Sequence, residues 1–340
     1  MISGPIAQAG LTSREHRYAV RRIVASALWI VTCTLPALPV TGGANNPPPS
    51  GTEPSEAEYA VPTTLDGAGR VVADVHVGST GPFRFIVDTG ANRSAISELT
   101  AQRLGAQAAE QTVVHGITGS AVMPQVRVDE FRVGELRFSE QRLAILPDAV
   151  FGGLDGILGI DALQDARLEI DFANDKVIVR RSGRSNPEGR TVIRASVRHK
   201  GLLMVPARVG RVSVQAIIDT GAERSLGNEA LLAALQNRRP DAYATMVSTV
   251  VGATAQVATG LSLRAPPIDL GGARVGNLLV TFGDFHVFKV WSLLDEPALV
   301  LGMDVLGTLP EFTIDYPRRE FQPRVNRRLP PIYSPLDSAP

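Results

Sequence analysis

From residue 71 onward the chain reads as short β-branched and apolar runs that alternate with polar residues and are cut by glycine and proline. Residues 71–77 predict an opening strand, Gly78 to Pro82 a turn, and residues 83–87 a returning strand. Residues 97–104 predict a short helix stopped by Gly105. Residues 113–122 predict a hairpin with glycine near its tip, and residues 126–128 and 131–138 predict strands turning at Gly134. An apolar strand before Gly159 and a hairpin over residues 168–179 close this unit, with Asp161 expected to cap the helix between them.

The order then repeats. Residues 202–209 and 214–218 replay the opening strands, 228–236 the helix, and 247–257 a hairpin with Gly252 at its tip. Residues 273–278 echo 131–136, residues 300–306 echo the strand around Gly159, and residues 312–316 echo 168–172. Landmarks recurring in one order indicate an internal duplication. The expected domains are a first lobe over 63–183 and a second over 190–322, separated by a polar, turn-rich connector at 182–189.

Each returning strand ends in the same words. The first runs Phe85-Ile86-Val87-Asp88-Thr89-Gly90-Ala91-Asn92-Arg93-Ser94, and the second Ala216-Ile217-Ile218-Asp219-Thr220-Gly221-Ala222-Glu223-Arg224-Ser225. One Asp-Thr-Gly is ordinary turn chemistry. Two copies on matching strands point to paired carboxylates, which share a proton at about 3 Å because both cannot ionise. Such a pair activates water as base and acid, with no metal or covalent intermediate.

At these residues the chain resembles the aspartic proteases, both retroviral and pepsin-like. The resemblance covers about residues 65 to 320. It implies a mainly β fold: two tandem retropepsin-like β-barrel lobes forming a pepsin-like bilobal pseudo-dimer with a central cleft, as in bacterial single-chain members. It implies Asp88 and Asp219 as the catalytic dyad, with Thr89, Gly90, Thr220 and Gly221 supporting the loops. Gly116 and Gly252 become candidate flap tips, and the partner a peptide or protein substrate, cleaved without a cofactor by a monomer. The alternatives are a catalytically silent peptide-binding module of the same fold, and an enzyme active only as an intermolecular dimer.

Two departures alter the expectation. Retroviral relatives carry Arg after the supporting glycine, where this chain has Ile160 and Met303, so that brace is absent or replaced. Pepsin-like relatives place Ser or Thr after Asp-Thr-Gly, where this chain has Ala91 and Ala222. Without those hydroxyls the dyad should hold its proton to higher pH and work best in mild acid.

Composition narrows the rest. Lys plus Arg equals Asp plus Glu at 34 each, so nothing marks a nucleic-acid partner. The five histidines show no metal-ligand spacing, and the single Cys33 leaves a stable core to do without disulfides. Arg14, Arg17, Arg21 and Arg22 precede an apolar stretch over 23–40, and Gly42-Gly43-Ala44 follow. Residues 1–44 thus read as a signal peptide or N-terminal anchor, with export to a periplasmic or extracellular site; membrane anchoring through 23–40 is the alternative to cleavage. Residues 45–62 read as a flexible Pro-rich linker and 323–340 as a flexible tail.

Overall fold

The computed structural model describes residues 22–24, 28–31, 60–61, 63–65, 69–134, 136–183, 190–199, 201–238, 245–325 and 332–333. It is mainly β and bilobal, and the two lobes repeat one strand order. In the first sheet that order is Glu110–Gly116, Ser120–Val133, Leu136–Leu146, Ala95–Ser97, Gly156–Leu158, Thr80–Val87, Val71–Val77. Val71–Val77 also pairs back on Ser120–Val133, which curls the sheet into a half-barrel. In the second it is Thr245–Val251, Val257–Arg264, Leu279–Phe282, Leu226–Gly227, Ala298–Leu301, Val212–Ile218, Leu202–Val209.

The copies differ where the second lobe carries Pro266 and Pro267. Ser120–Val133 runs unbroken for 14 residues, whereas its counterpart is split into Val257–Arg264 and Ile268–Leu270. Proline has no N–H to give a ladder, so the strand breaks there. The expected echo between residues 131–136 and 273–278 is out of phase for the same region. Residues 131–136 span a turn at Gly134, but the second-lobe turn falls earlier, at Gly271-Gly272, and Ala273–Gly276 is already the returning strand. Both glycines have positive φ, +60° and +100°, which side chains rarely adopt.

Beneath both half-barrels lies a sheet that the duplication alone does not reveal. Its order is Ile193–Arg194, Glu320–Pro323, Glu311–Asp315, Ala166–Asp171, Lys176–Arg181, Ala60–Val61. Ala166–Asp171 pairs antiparallel with Glu311–Asp315, so the closing hairpins of the two copies are joined edge to edge. Phe312 packs with tilted rings against Phe172 at 5.9 Å and Phe321 at 5.6 Å, an apolar seam between the lobes. Within it Arg167 reaches Asp315 at 3.4 Å and Glu169 at 2.6 Å, all three largely shielded from solvent.

Short strands also form outside the expected lobes. Ala60–Val61, read as linker, pairs with Val177 and Ile178, and Ile332–Tyr333, read as tail, pairs with Val275 and Gly276. Arg22–Val24 lies parallel to Thr249–Val251, and Leu28–Val31 lies antiparallel to Val113–Gly116. The rest of the expected leader and linker, 1–21, 25–27, 32–59 and 62, lies outside the described residues. No helix among the described residues is long and apolar enough to cross a membrane.

Candidate active site

Each Asp-Thr-Gly follows a strand that is buried on both faces, Phe85 to Val87 and Ala216 to Ile218. A later strand of the same lobe, Gly156–Leu158 or Ala298–Leu301, runs parallel alongside and receives the Asp N–H: Asp88 on Leu158 O and Asp219 on Leu301 O, both at 3.0 Å. Gly159 and Gly302 then pass so close to the loop that a side chain on either would strike the backbone of Arg93 or Arg224.

Below the loops a serine and an aspartate in each lobe tie the Asp-Thr-Gly loop to the strand behind it. Ser94 Oγ accepts from Gly159 N–H at 3.0 Å and donates to Asp161 at 2.8 Å. Ser225 Oγ accepts from Gly302 N–H at 3.1 Å and donates to Asp304 at 2.7 Å. Asp161 does not occupy the cap position of Ile160–Leu163, which is Gly159, but its carboxylate does accept the first-turn Ala162 N–H at 3.1 Å. The same oxygen also accepts from the Ser94 N–H and hydroxyl, so it serves the helix start and the loop together.

The two loops lock together through their threonines. Thr89 N–H donates to Thr220 Oγ1 and Thr220 N–H donates to Thr89 Oγ1, each at 3.1 Å. The hydroxyls donate onward across the interface, Thr89 to Ile218 O at 2.7 Å and Thr220 to Val87 O at 2.6 Å. All of this is fully buried.

That lock places Asp88 and Asp219 face to face, both with no exposed surface. Each carboxylate accepts from the glycine that follows it, Gly90 N–H at 2.8 Å and Gly221 N–H at 3.0 Å. Each glycine in turn backs onto the opposite aspartate, so that a methyl group on Gly90 would overlap Asp219 and one on Gly221 would overlap Asp88. Oδ2 of both aspartates meets no protein N–H or hydroxyl among the described residues. Burial pushes Asp88 well above the carboxylate range, and the charge on Asp219 adds to it; burial also pushes Asp219 up, to about 7. The backbone N–H groups of residues 90, 91, 221 and 222 oppose the rise without overcoming it. Ala91 and Ala222 are buried and bring no hydroxyl.

A profile of the aspartyl protease family matches residues 73–162 and again residues 205–305, more than half of the chain. The chain belongs to the aspartyl protease family. Both matches begin in an opening strand and end just past the supporting glycine, so each copy of the duplication carries the family pattern separately. No curated protein matches the chain.

Two hairpins carry the candidate flap glycines. Gly116 ends one strand of the first, with Gly116 N–H closing its turn on Gly119 O at 2.7 Å. Gly252 begins the turn of the second, and its N–H reaches Gln256 O at 3.2 Å. The tips meet: Thr118 Oγ1 donates to Gln256 O at 2.8 Å, and Gln256 Nε2 to Ser120 O at 3.0 Å. A residue beneath the site escaped sequence reading. Tyr316, matched to Phe172 in the other lobe, is buried with an unpartnered hydroxyl, and its phenol is held above its usual range by burial and then by both aspartates. The single oxygen that separates Tyr from Phe was the signal. Among the described residues no group of three or more metal-ligating side chains gathers.

Proposed function

We propose that the protein is an exported aspartic endopeptidase in which Asp88 and Asp219 act as one dyad. The observation that carries this reading is the reciprocal threonine lock, which supports one carboxylate from each half at a common buried point. With one proton between them, the ionised carboxyl takes a proton from water as its oxygen attacks the peptide carbonyl carbon. The protonated carboxyl gives its proton to the carbonyl oxygen. The tetrahedral diol then collapses: the protonated carboxyl gives its proton to the nitrogen, the ionised one takes a proton from a diol hydroxyl, and the C–N bond breaks, releasing the amine and an acid that keeps the water oxygen and leaving one proton on the dyad. Substrate binds extended between lobes and flaps by strand-like pairing. A single chain suffices, since the joined sheet beneath the site links both halves of one molecule. Export rests on the arginines and apolar stretch at the N-terminus.

The test is cleavage of an unfolded protein between about pH 3 and 7, comparing the chain with Asp88→Asn and Asp219→Asn, with and without pepstatin. Loss in both variants is expected. Activity that survives either change would overturn the single-dyad reading, and an inactive parent chain would overturn the peptidase reading.

A further inference from the structure

His115, on the first flap, and His286, at the start of the second-lobe helix His286–Val290, meet across the cleft. Nδ1 of His115 lies 3.0 Å from Nε2 of His286, and the rings stack 5.2 Å apart at 21°. Beside them the Val287 N–H donates to Ile117 O at 3.3 Å, so helix and flap tip are joined by side chain and backbone at one point. We propose that this histidine pair is an acid-released latch that holds the first flap down on the second lobe.

The chemistry follows from counting donors. In a neutral pair one ring donates and the other accepts. A first added proton leaves one acceptor, and the bond survives. A second leaves two N–H groups and two positive charges facing each other at that distance, with no acceptor. Among the described residues, those placed against His115 are not carboxylates: it lies opposite Ser120 in its hairpin and opposite Trp29 on the leader strand, and the second flap tip brings Ala253, Thr254 and Gln256, while Glu110 stands at the far end of its own strand. The helix carries Lys289, and Asp284, exposed, lies two residues ahead of His286. Burial holds both imidazoles below their usual range, helped at His115 by His286 and at His286 by Lys289. The second protonation therefore falls in acid, where the dyad is expected to work.

That the latch gates substrate rests on the peptidase reading; the latch itself does not, and the test separates them. In the full chain carrying Asp219→Asn, which removes self-cleavage and leaves Asp88 as the one titrating carboxyl of the site, hydrogen exchange is followed at residues 116–120 from about pH 7.5 to 4.5 and corrected for intrinsic rates. Flap protection should fall about tenfold or more across this range, while core amides of Ile86 and Ile217 hold. With His286→Gln, or independently His115→Gln, an uncharged amide replaces the titrating ring and the flap profile should flatten. A flat profile in the parent, or one that falls equally in both glutamine variants, would overturn the latch.

Discussion

Thr89 and Thr220 each accept the other's backbone N–H on a hydroxyl, at the same 3.1 Å in both directions. Removing one hydroxyl strands the partner's N–H and the carbonyl it served, both buried. Thr89→Val is expected to lower stability by about 1–3 kcal/mol for each stranded group, seen as a fall in the denaturant midpoint, and to abolish cleavage. Thr89→Ser keeps the hydroxyl and should retain most of both.

Gly90 and Gly221 have no room for a side chain because the opposite carboxylate fills that space. Gly90→Ala should push Asp219 out of register with Asp88. Displacements near 1 Å at a reacting centre cost about 100-fold in rate, so kcat should fall at least that far, while circular dichroism stays native.

The raised carboxyls set the pH behaviour. A group whose folded pKa lies above its unfolded value contributes its stability below the unfolded value and loses it as pH rises through the folded one. For Asp219 that window runs from the usual carboxylate range to about 7. Asp219→Asn, which cannot ionise, should melt above the parent chain at about pH 8, with the gap closing toward about pH 4. Melting curves across that range decide it.

Arg167 ties the joined sheet through Asp315, Glu169 and Gln322. Removing one partner of a buried ion pair costs about 3–5 kcal/mol. Arg167→Met should lower the unfolding midpoint by that order, and it tests the seam without touching the dyad.

The flap edges are occupied by the chain's own Arg22–Val24 and Leu28–Val31. Chain lacking residues 1–44 should cleave faster than the full chain, and a synthetic peptide of residues 20–33 should slow it competitively. Equal rates would show that these strands do not obstruct the cleft.

What sequence could reveal divides by range. Phe85 to Ser94 and Ala216 to Ser225 announced themselves because local pattern and loop chemistry coincide in ten residues. The bilobal β architecture followed from repeating that pattern in order. The pairing of Leu168 with Ile314, the turn of Asp161 toward Ser94, and the meeting of His115 with His286 were not legible. Each joins residues far apart in the chain, and no spacing rule encodes which strand edges or rings will meet. Proline at 266 and 267 was visible, but its effect on register required knowing what those strands pair with.

Duplication followed by fusion has left the halves free to differ. His115 is the last strand pair before its flap turn; the same place in the second flap is Val251, paired with Val257. By the shared register of residues 144–146 with 95–97 and of 281–282 with 226–227, His286 corresponds to Ala149. Two identical subunits would have to carry any such contact twice or not at all. A single chain can fasten one side of its cleft and leave the other plain, which gives a near-symmetric molecule a front and a back.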